Sequence, residues 1–242
     1  MCANLITRLI LDTSVAIDYA DPSSPNQTKA QICFSCDWLI TPTVKSEINT
    51  ILSRRSPVFA PLFIGLANSS SLTITDLTIY NLLPANIRSN DADFFKRISK
   101  LLYSQVADLP IDKQKEELAV RLQKYFTILD SRIRKTLNSI KSNPDRTISS
   151  SLDKNLPKKI FSKIFQSYSR HSNDATIFAD ALAYAFNRPE LLNFVSSENI
   201  IRIDRDNIYQ IASNHFKINT RFLQLFHISE ELRENLFEEY SA

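Results

Sequence analysis

The chain has 242 residues, 43% hydrophobic and 23% charged, with a formal net charge of +3. That is an ordinary globular composition and enough length for one large domain, or for a core carrying a sizeable insertion. A single glycine, Gly65, excludes the glycine-rich loops that cradle phosphates or dinucleotides and favours a helix-rich chain.

The three cysteines, Cys2, Cys33 and Cys36, are too few for a disulfide framework. Cys33-Phe34-Ser35-Cys36 has the spacing of a metal knuckle without a second half, and His171, His215 and His227 are scattered. Reduced thiols on or near a helix are therefore expected, and no zinc site. The apolar N-terminus is broken by Arg8 and too short to span a membrane. No membrane partner and a cytoplasmic location are the resulting expectations.

In chain order, strands are expected at 7–11, 38–41, 72–75, 192–196 and 200–203, mostly as unbroken apolar runs that suit burial on both faces. Helical patterns lie between them, the βα alternation of a mostly parallel sheet. Val44, Ile48, Ile51 and Leu52 form one helical face, with Thr43 a candidate cap. Phe94, Phe95, Ile98, Leu101, Leu102 and Val106 form an apolar stripe. A longer one runs from Leu118 through Leu122, Tyr125, Phe126, Leu129, Ile133 and Leu137 to Ile140. With Pro110 between them, these predict an αα-hairpin whose second arm runs about eight turns. Ser142–Lys159, polar and holding Pro144 and Pro157, reads as a loop or mobile segment. An Ala-rich helix follows from Asp174, with Ser172 or Asn173 as its cap.

Charge divides the chain more sharply than apolarity. Residues 85–170 hold 18 Lys and Arg against 9 Asp and Glu, which leaves 11 basic and 17 acidic residues elsewhere. This sets a basic helical insertion, 85–170, between two parts of an acidic core, 1–84 and 171–242. The second part ends in a helix bearing Glu230, Glu231, Glu234, Glu238 and Glu239. Lys96, Arg97 and Lys100, then Arg132, Arg134 and Lys135, then Lys158 and Lys159 are the candidate nucleic-acid contacts, able to neutralise phosphates without reading sequence. A solvated helix face explains the same residues.

Four acids sit where strands end or helices begin: Asp12, Glu47, Asp174 and Glu198. The carboxyl rim of a parallel sheet is where α/β folds place ligands. Carboxylates gathered there repel one another, and a hard divalent cation relieves the conflict. Each acid also has a plainer explanation: a turn at a strand end for Asp12, a helix surface for Glu47, a helix-dipole position for Asp174, a loop for Glu198. "SNDA" at 89–92 repeats at 172–175, so Asp91 or Asp93 competes for the role of Asp174. Asp180, six residues further on, lies about 240° round the helix and is expected to be structural.

In order and context these motifs resemble the PIN-domain nucleases. "DTSV" at 12–15 matches the aspartate after the first strand, and "TPTVKSEI" at 41–48 the pattern that carries the second acid. Asp174 with Ile177, Ala179, Ala181 and Ala183 matches the third. At the fourth, Val195-Ser196-Ser197-Glu198 puts serine for threonine and glutamate for aspartate. The resemblance covers about 1–84 and 171–242. It implies a Rossmann-like α/β/α sandwich and metal-dependent cleavage of RNA, less often DNA. Asp12, Glu47 and Asp174 would hold Mg²⁺ or Mn²⁺, Glu198 would hold a second ion or orient water, and Thr13 and Ser196 would orient carboxylates. A PIN-like scaffold with a degraded site, and the toxin of a toxin–antitoxin pair, are the alternatives; the helical insertion would serve a protein partner or a second copy. A dehalogenase-like phosphatase needs an aspartate where Ser14 stands, and a receiver domain needs an acidic pair where Ala3-Asn4 stands.

Overall fold

A computed structural model describes residues 8–68, 89–149, 155–165, 172–189, 191–217 and 222–229. The expected strand at 72–75 and the acidic tail from Glu230 lie outside them. The chain forms two compact units. One takes Met1–Tyr19, Pro25–Ile48 and Thr136–Ala242; the other takes Ala20–Ser24 and Asn49–Lys135. The second unit thus runs along other limits than the charge block at 85–170.

The first unit is built on a four-stranded, all-parallel sheet in the order β2-β1-β3-β4, which makes this a helix-rich α/β chain. β1 is Leu9–Leu11, β2 Trp38–Leu39, β3 Leu192–Ser196 and β4 Leu223–His227. Every residue of β1 and β3 is buried, as two-sided burial of parallel strands requires. Between β1 and β2 come α1, Thr13–Ala20, and α2, Gln27–Ser35. After β2 comes α3, Pro42–Asn68. Its cap is Thr41, not the expected Thr43: the Thr41 hydroxyl accepts from the Val44 N–H at 3.1 Å, and Pro42 fills the first helical position, where no amide donor is needed.

Two expectations fail in the second half of the chain. Residues 200–203 are a helical turn, α8 (Ile200–Ile203), closed by Asp204 N–H to Ile200 O at 2.8 Å. The strand lies instead at β4, after α9 (Arg205–Phe216). A short apolar run fits a strand or a buried turn equally by pattern, and pairing with β3 decides it. The presumed loop at 142–159 is also partly ordered. Pro144–Arg146 forms a 3₁₀ turn, and Thr147 bridges in parallel to Ile40, extending the sheet by one residue beyond β2. The Arg146 guanidinium lies 4.2 Å from the Trp38 ring centre. A short helix, α6 (Asn155–Ile160), buries Leu156 and Ile160 and runs into a π turn, Phe161–Phe165. α7, Ser172–Phe186, then leads into β3.

All regular structure described in the second unit is helical. α4 is Ser89–Ser104; α5, Ile111–Ser142, has 32 residues, about nine turns. The predicted stripes are buried at Phe94, Phe95, Ile98, Leu102, Leu118, Leu122, Tyr125, Leu129 and Ile133. Phe59 adds an aromatic cluster, 5.4 Å from Phe95 and 4.3 Å from Phe126. Two buried carboxylates are tied to cations here. Asp91 is gripped by Arg54 and, at 2.8 Å, by Arg55, whose guanidinium sits 3.8 Å from the Phe94 ring centre. Asp21, fully buried, accepts from Tyr125, from Ser23 and from Arg97 at 3.2 Å. Burial pushes the Asp91 carboxyl up, but hydrogen bonds from Arg54 and Arg55 outweigh it and hold the net pKa below the usual 3.8.

Removing one partner of a buried pair strands the other charge, so Asp91→Asn should destabilise the protein by about 3–5 kcal/mol at neutral pH. A carboxyl whose folded pKa is depressed stabilises above its unfolded pKa and loses that contribution as pH falls through the folded value. The gap between wild type and variant in urea denaturation should therefore narrow below about pH 4. A gap that stays constant into acid would show that the Asp91 charge is not what stabilises the unit.

Candidate active site

The order β2-β1-β3-β4 places a topological switch between β1 and β3, because the chain leaves β1 toward β2 and leaves β3 toward β4. Open parallel sheets bind ligands in the crevice beyond the carboxyl ends at such a point. Asp12 stands there. Its backbone N–H donates to Val195 O at 3.0 Å, continuing the β1–β3 pairing, and its carbonyl accepts the Ala16 N–H at the start of α1.

The Asp12 side chain is only 8% exposed. Oδ1 accepts the Thr13 N–H, and Oδ2 accepts the hydroxyls of Ser14 and Ser196, all at 2.7 Å. Those two hydroxyls lie 3.2 Å apart and in turn accept the N–H groups of Ser197 and Glu198, each at 3.0 Å. The turn after β3 is thereby fastened to the carboxylate. His227, at the end of β4, holds it from the other side: Nε2 lies 3.0 Å from Ser197 O and Nδ1 lies 3.2 Å from Ser229 N and 2.7 Å from its hydroxyl. The Ser229 N–H donates to Nδ1, which leaves Nε2 as the ring nitrogen facing the Ser197 carbonyl as donor.

Glu47, half-buried in α3, joins the group through Thr13, whose hydroxyl donates to Oε2. Oε1 accepts the Asn173 side-chain amide at 2.7 Å. Residue Thr13 thus links both carboxylates, by its N–H to Asp12 and by its hydroxyl to Glu47. Asp174, half-buried, follows Asn173 in the first turn of α7, and Glu198 is exposed. Sequence reasoning assigned Ser14 and His227 no place in the site and gave Asn173 only a capping role. Ser14 stands within "DTSV", so an i, i+2 bond to Asp12 was open to prediction; His227 had no local signal, since β4 was not foreseen.

Every described partner of Asp12 and Glu47 is a neutral donor, whereas Asp21 and Asp91 are paired with arginines. Taking a carboxylate out of water costs several kcal/mol even after relaxation. The N-terminus of α1 returns only about 0.3–1 kcal/mol. The three hydrogen bonds to Asp12 offset a further part of that cost, and hard carboxylate oxygens are the donor type that suits Mg²⁺ or Mn²⁺. Each carboxylate oxygen keeps acceptor capacity after these bonds. Among the described residues no group of three or more His, Cys, Asp or Glu side chains is close enough to hold a metal. Asp12 and Glu47, joined through Thr13, are the two acids that the described geometry brings together.

The other candidates divide. Asp91 is committed to Arg54 and Arg55, and Asp93 is exposed. Asp180 is buried. Cys33 and Cys36 are thiols not joined in a disulfide; burial pushes the Cys33 thiol up to about 12, so it stays protonated. Of the basic residues, Arg97 pairs with Asp21, Arg134 with Asp130 at 2.6 Å, and the Lys159 ammonium lies 3.2 Å from His215 Nδ1. Arg132 is half-buried, and Lys96, Lys100, Lys135 and Lys158 are exposed. Among the described residues no helix is long and apolar enough to cross a membrane.

If Asp12 is a buried charge held by neutral donors alone, Asp12→Asn should leave the metal-free protein within about 1 kcal/mol of wild type, or more stable, because the serine hydroxyls reverse to accept. Urea denaturation in EDTA checks this. A loss as large as that expected for Asp91→Asn would mean that the Asp12 charge is matched by a cation of the protein itself. Compared with known protein families, characterised proteins and solved structures, the chain matches none.

Proposed function

We propose that this chain is a metal-dependent nuclease of the PIN type, an RNA endonuclease whose sheet belongs to a Rossmann-like α/β/α sandwich. The observation that carries the reading is the buried Asp12 carboxylate, linked through Thr13 to Glu47 at the switch point and bonded among the described residues only by neutral groups. When bound by Asp12, Glu47 and Asp174, Mg²⁺ or Mn²⁺ supplies an activated water and neutralises charge on the phosphate. The chain's own residues supply the rest. Ser14 and Ser196 fix Asp12, and Thr13 sets it relative to Glu47. Glu198, exposed on the turn held by Ser196, orients water on the solvent side. The exposed lysines of α4, α5 and α6 hold phosphates without reading bases. RNA rather than DNA, and a cytoplasmic location, belong to the same reading.

The second reading is a PIN-like binding or scaffold protein without catalysis. It is favoured by the exposure of Glu198 and by the described acids joining as a pair and not as a larger cluster. Catalysis separates the two. Purified protein should cut labelled RNA with Mg²⁺ or Mn²⁺ and not with EDTA, and Asp12→Asn should lose most of both cleavage and Mn²⁺ affinity in titration calorimetry. Unchanged Mn²⁺ affinity would remove Asp12 as a ligand; tight RNA binding without cleavage would establish the binding protein.

Arg97 and Arg134 are tied to acids of the same unit, so phosphate binding by α4 and α5 should rest on Lys96, Lys100 and Lys135. Reversing all three to Glu should weaken RNA binding more than Mn²⁺ binding. It should also flatten the log–log salt dependence by about 0.7–0.9 for each phosphate no longer neutralised. An identical slope in wild type and variant would assign these helices to a protein partner or a second copy.

A further inference from the structure

We propose that Asn173 is a positioning residue of this site: its amide holds Glu47 in the orientation in which Glu47 meets the cation. The inference rests on the nuclease reading and adds a residue to it. A glutamate loses up to about 2 kcal/mol of rotamer freedom when its side chain is fixed. Glu47 sits half-buried in α3 with no cation beside it among the described residues, so hydrogen bonds alone must supply that order. They come from two neutral donors on different elements. The Thr13 hydroxyl, on α1, takes Oε2, and the Asn173 amide, on α7, takes Oε1 at 2.7 Å. One donor per oxygen fixes the carboxylate plane and leaves lone pairs on both oxygens for a metal or its waters.

The identity of the donor matters as much as its place. An Arg or Lys at 173 would cancel the charge on Glu47, as Arg54 and Arg55 do for Asp91. An Asp would repel it. Asn donates a hydrogen bond without adding charge, and its side-chain carbonyl oxygen remains a hard acceptor beside Asp174. Asn173 is exposed in the first turn of α7, so Asn173→Ala opens no cavity in the core.

Two measurements on Asn173→Ala test this. In metal-free protein, side-chain scalar couplings of Glu47 should change from one rotamer to an average of several. In Mn²⁺ titration the affinity should fall about tenfold or more, the usual effect of removing a group that orients a ligand. In a Glu47→Gln background, Asn173→Ala should cause no further loss, because its effect passes through the Glu47 carboxylate. Rotamers unchanged from wild type overturn the proposal whether or not metal binds. Averaged rotamers with unchanged Mn²⁺ affinity overturn it too, as does an equal loss in the Glu47→Gln background. A wild-type protein that binds no Mn²⁺ refutes the nuclease reading and with it the metal role of Asn173, while the couplings still decide whether Asn173 orients Glu47.

Discussion

Asp12 imposes the constraint around which the first unit is arranged. The residue is a strand extension, a helix cap and a buried anion at once: its N–H pairs with β3, its carbonyl starts α1, and its carboxylate collects one amide and two hydroxyls. The hydroxyl of Ser196 is satisfied by it directly, and the N–H groups of Ser197 and Glu198 indirectly, through the serines it holds. Buried polar networks of this kind are stiff when every member is paired. They also leave Asp12 with its charge intact, since hydroxyl and amide donors orient a carboxylate without neutralising it.

The same chain shows the other way of burying an acid. Asp91 and Asp21 are matched by arginines, and the hydrogen bonds of Arg54 and Arg55 depress the Asp91 pKa against the opposing effect of burial. Those pairs cancel their charge locally and have nothing left for a ligand. They anchor helices of the second unit on a core of Phe59, Phe94, Phe95 and the α5 stripe. The contrast between acids matched by arginine and acids matched only by neutral groups separates structural carboxylates such as Asp91 from candidate ligands such as Asp12, although both of these are buried.

The support for Glu47 begins in local sequence. Thr41 caps α3, Pro42 occupies its first turn, and Val44 and Ile48 are buried, which fixes how Glu47 is presented. Thr13 then reaches it across 34 residues and Asn173 across 126. Each of these long-range bonds depends on the parallel sheet having brought α1, α3 and α7 to one edge.

The sequence by itself determined the local features. Mostly apolar runs marked β1, β2 and β3, because strands buried on two faces present apolar side chains to both. Stripes with three- and four-residue steps marked α4 and α5, because one face of each had to be covered. It also picked out Asp12, Glu47, Asp174 and Glu198 as acids at element ends. What it did not determine was whatever depends on partners far away in the chain. Ile200–Ile203 and Leu223–His227 are both short and only partly apolar, and only pairing with β3 made the second of them the strand. "SNDA" occurs twice, yet Arg54 and Arg55 take the first aspartate while the second motif sends Asn173 to Glu47. A motif specifies which groups are offered; the charge and hydrogen bonding they meet after folding, which set their chemistry, are properties of the assembled sheet and helices.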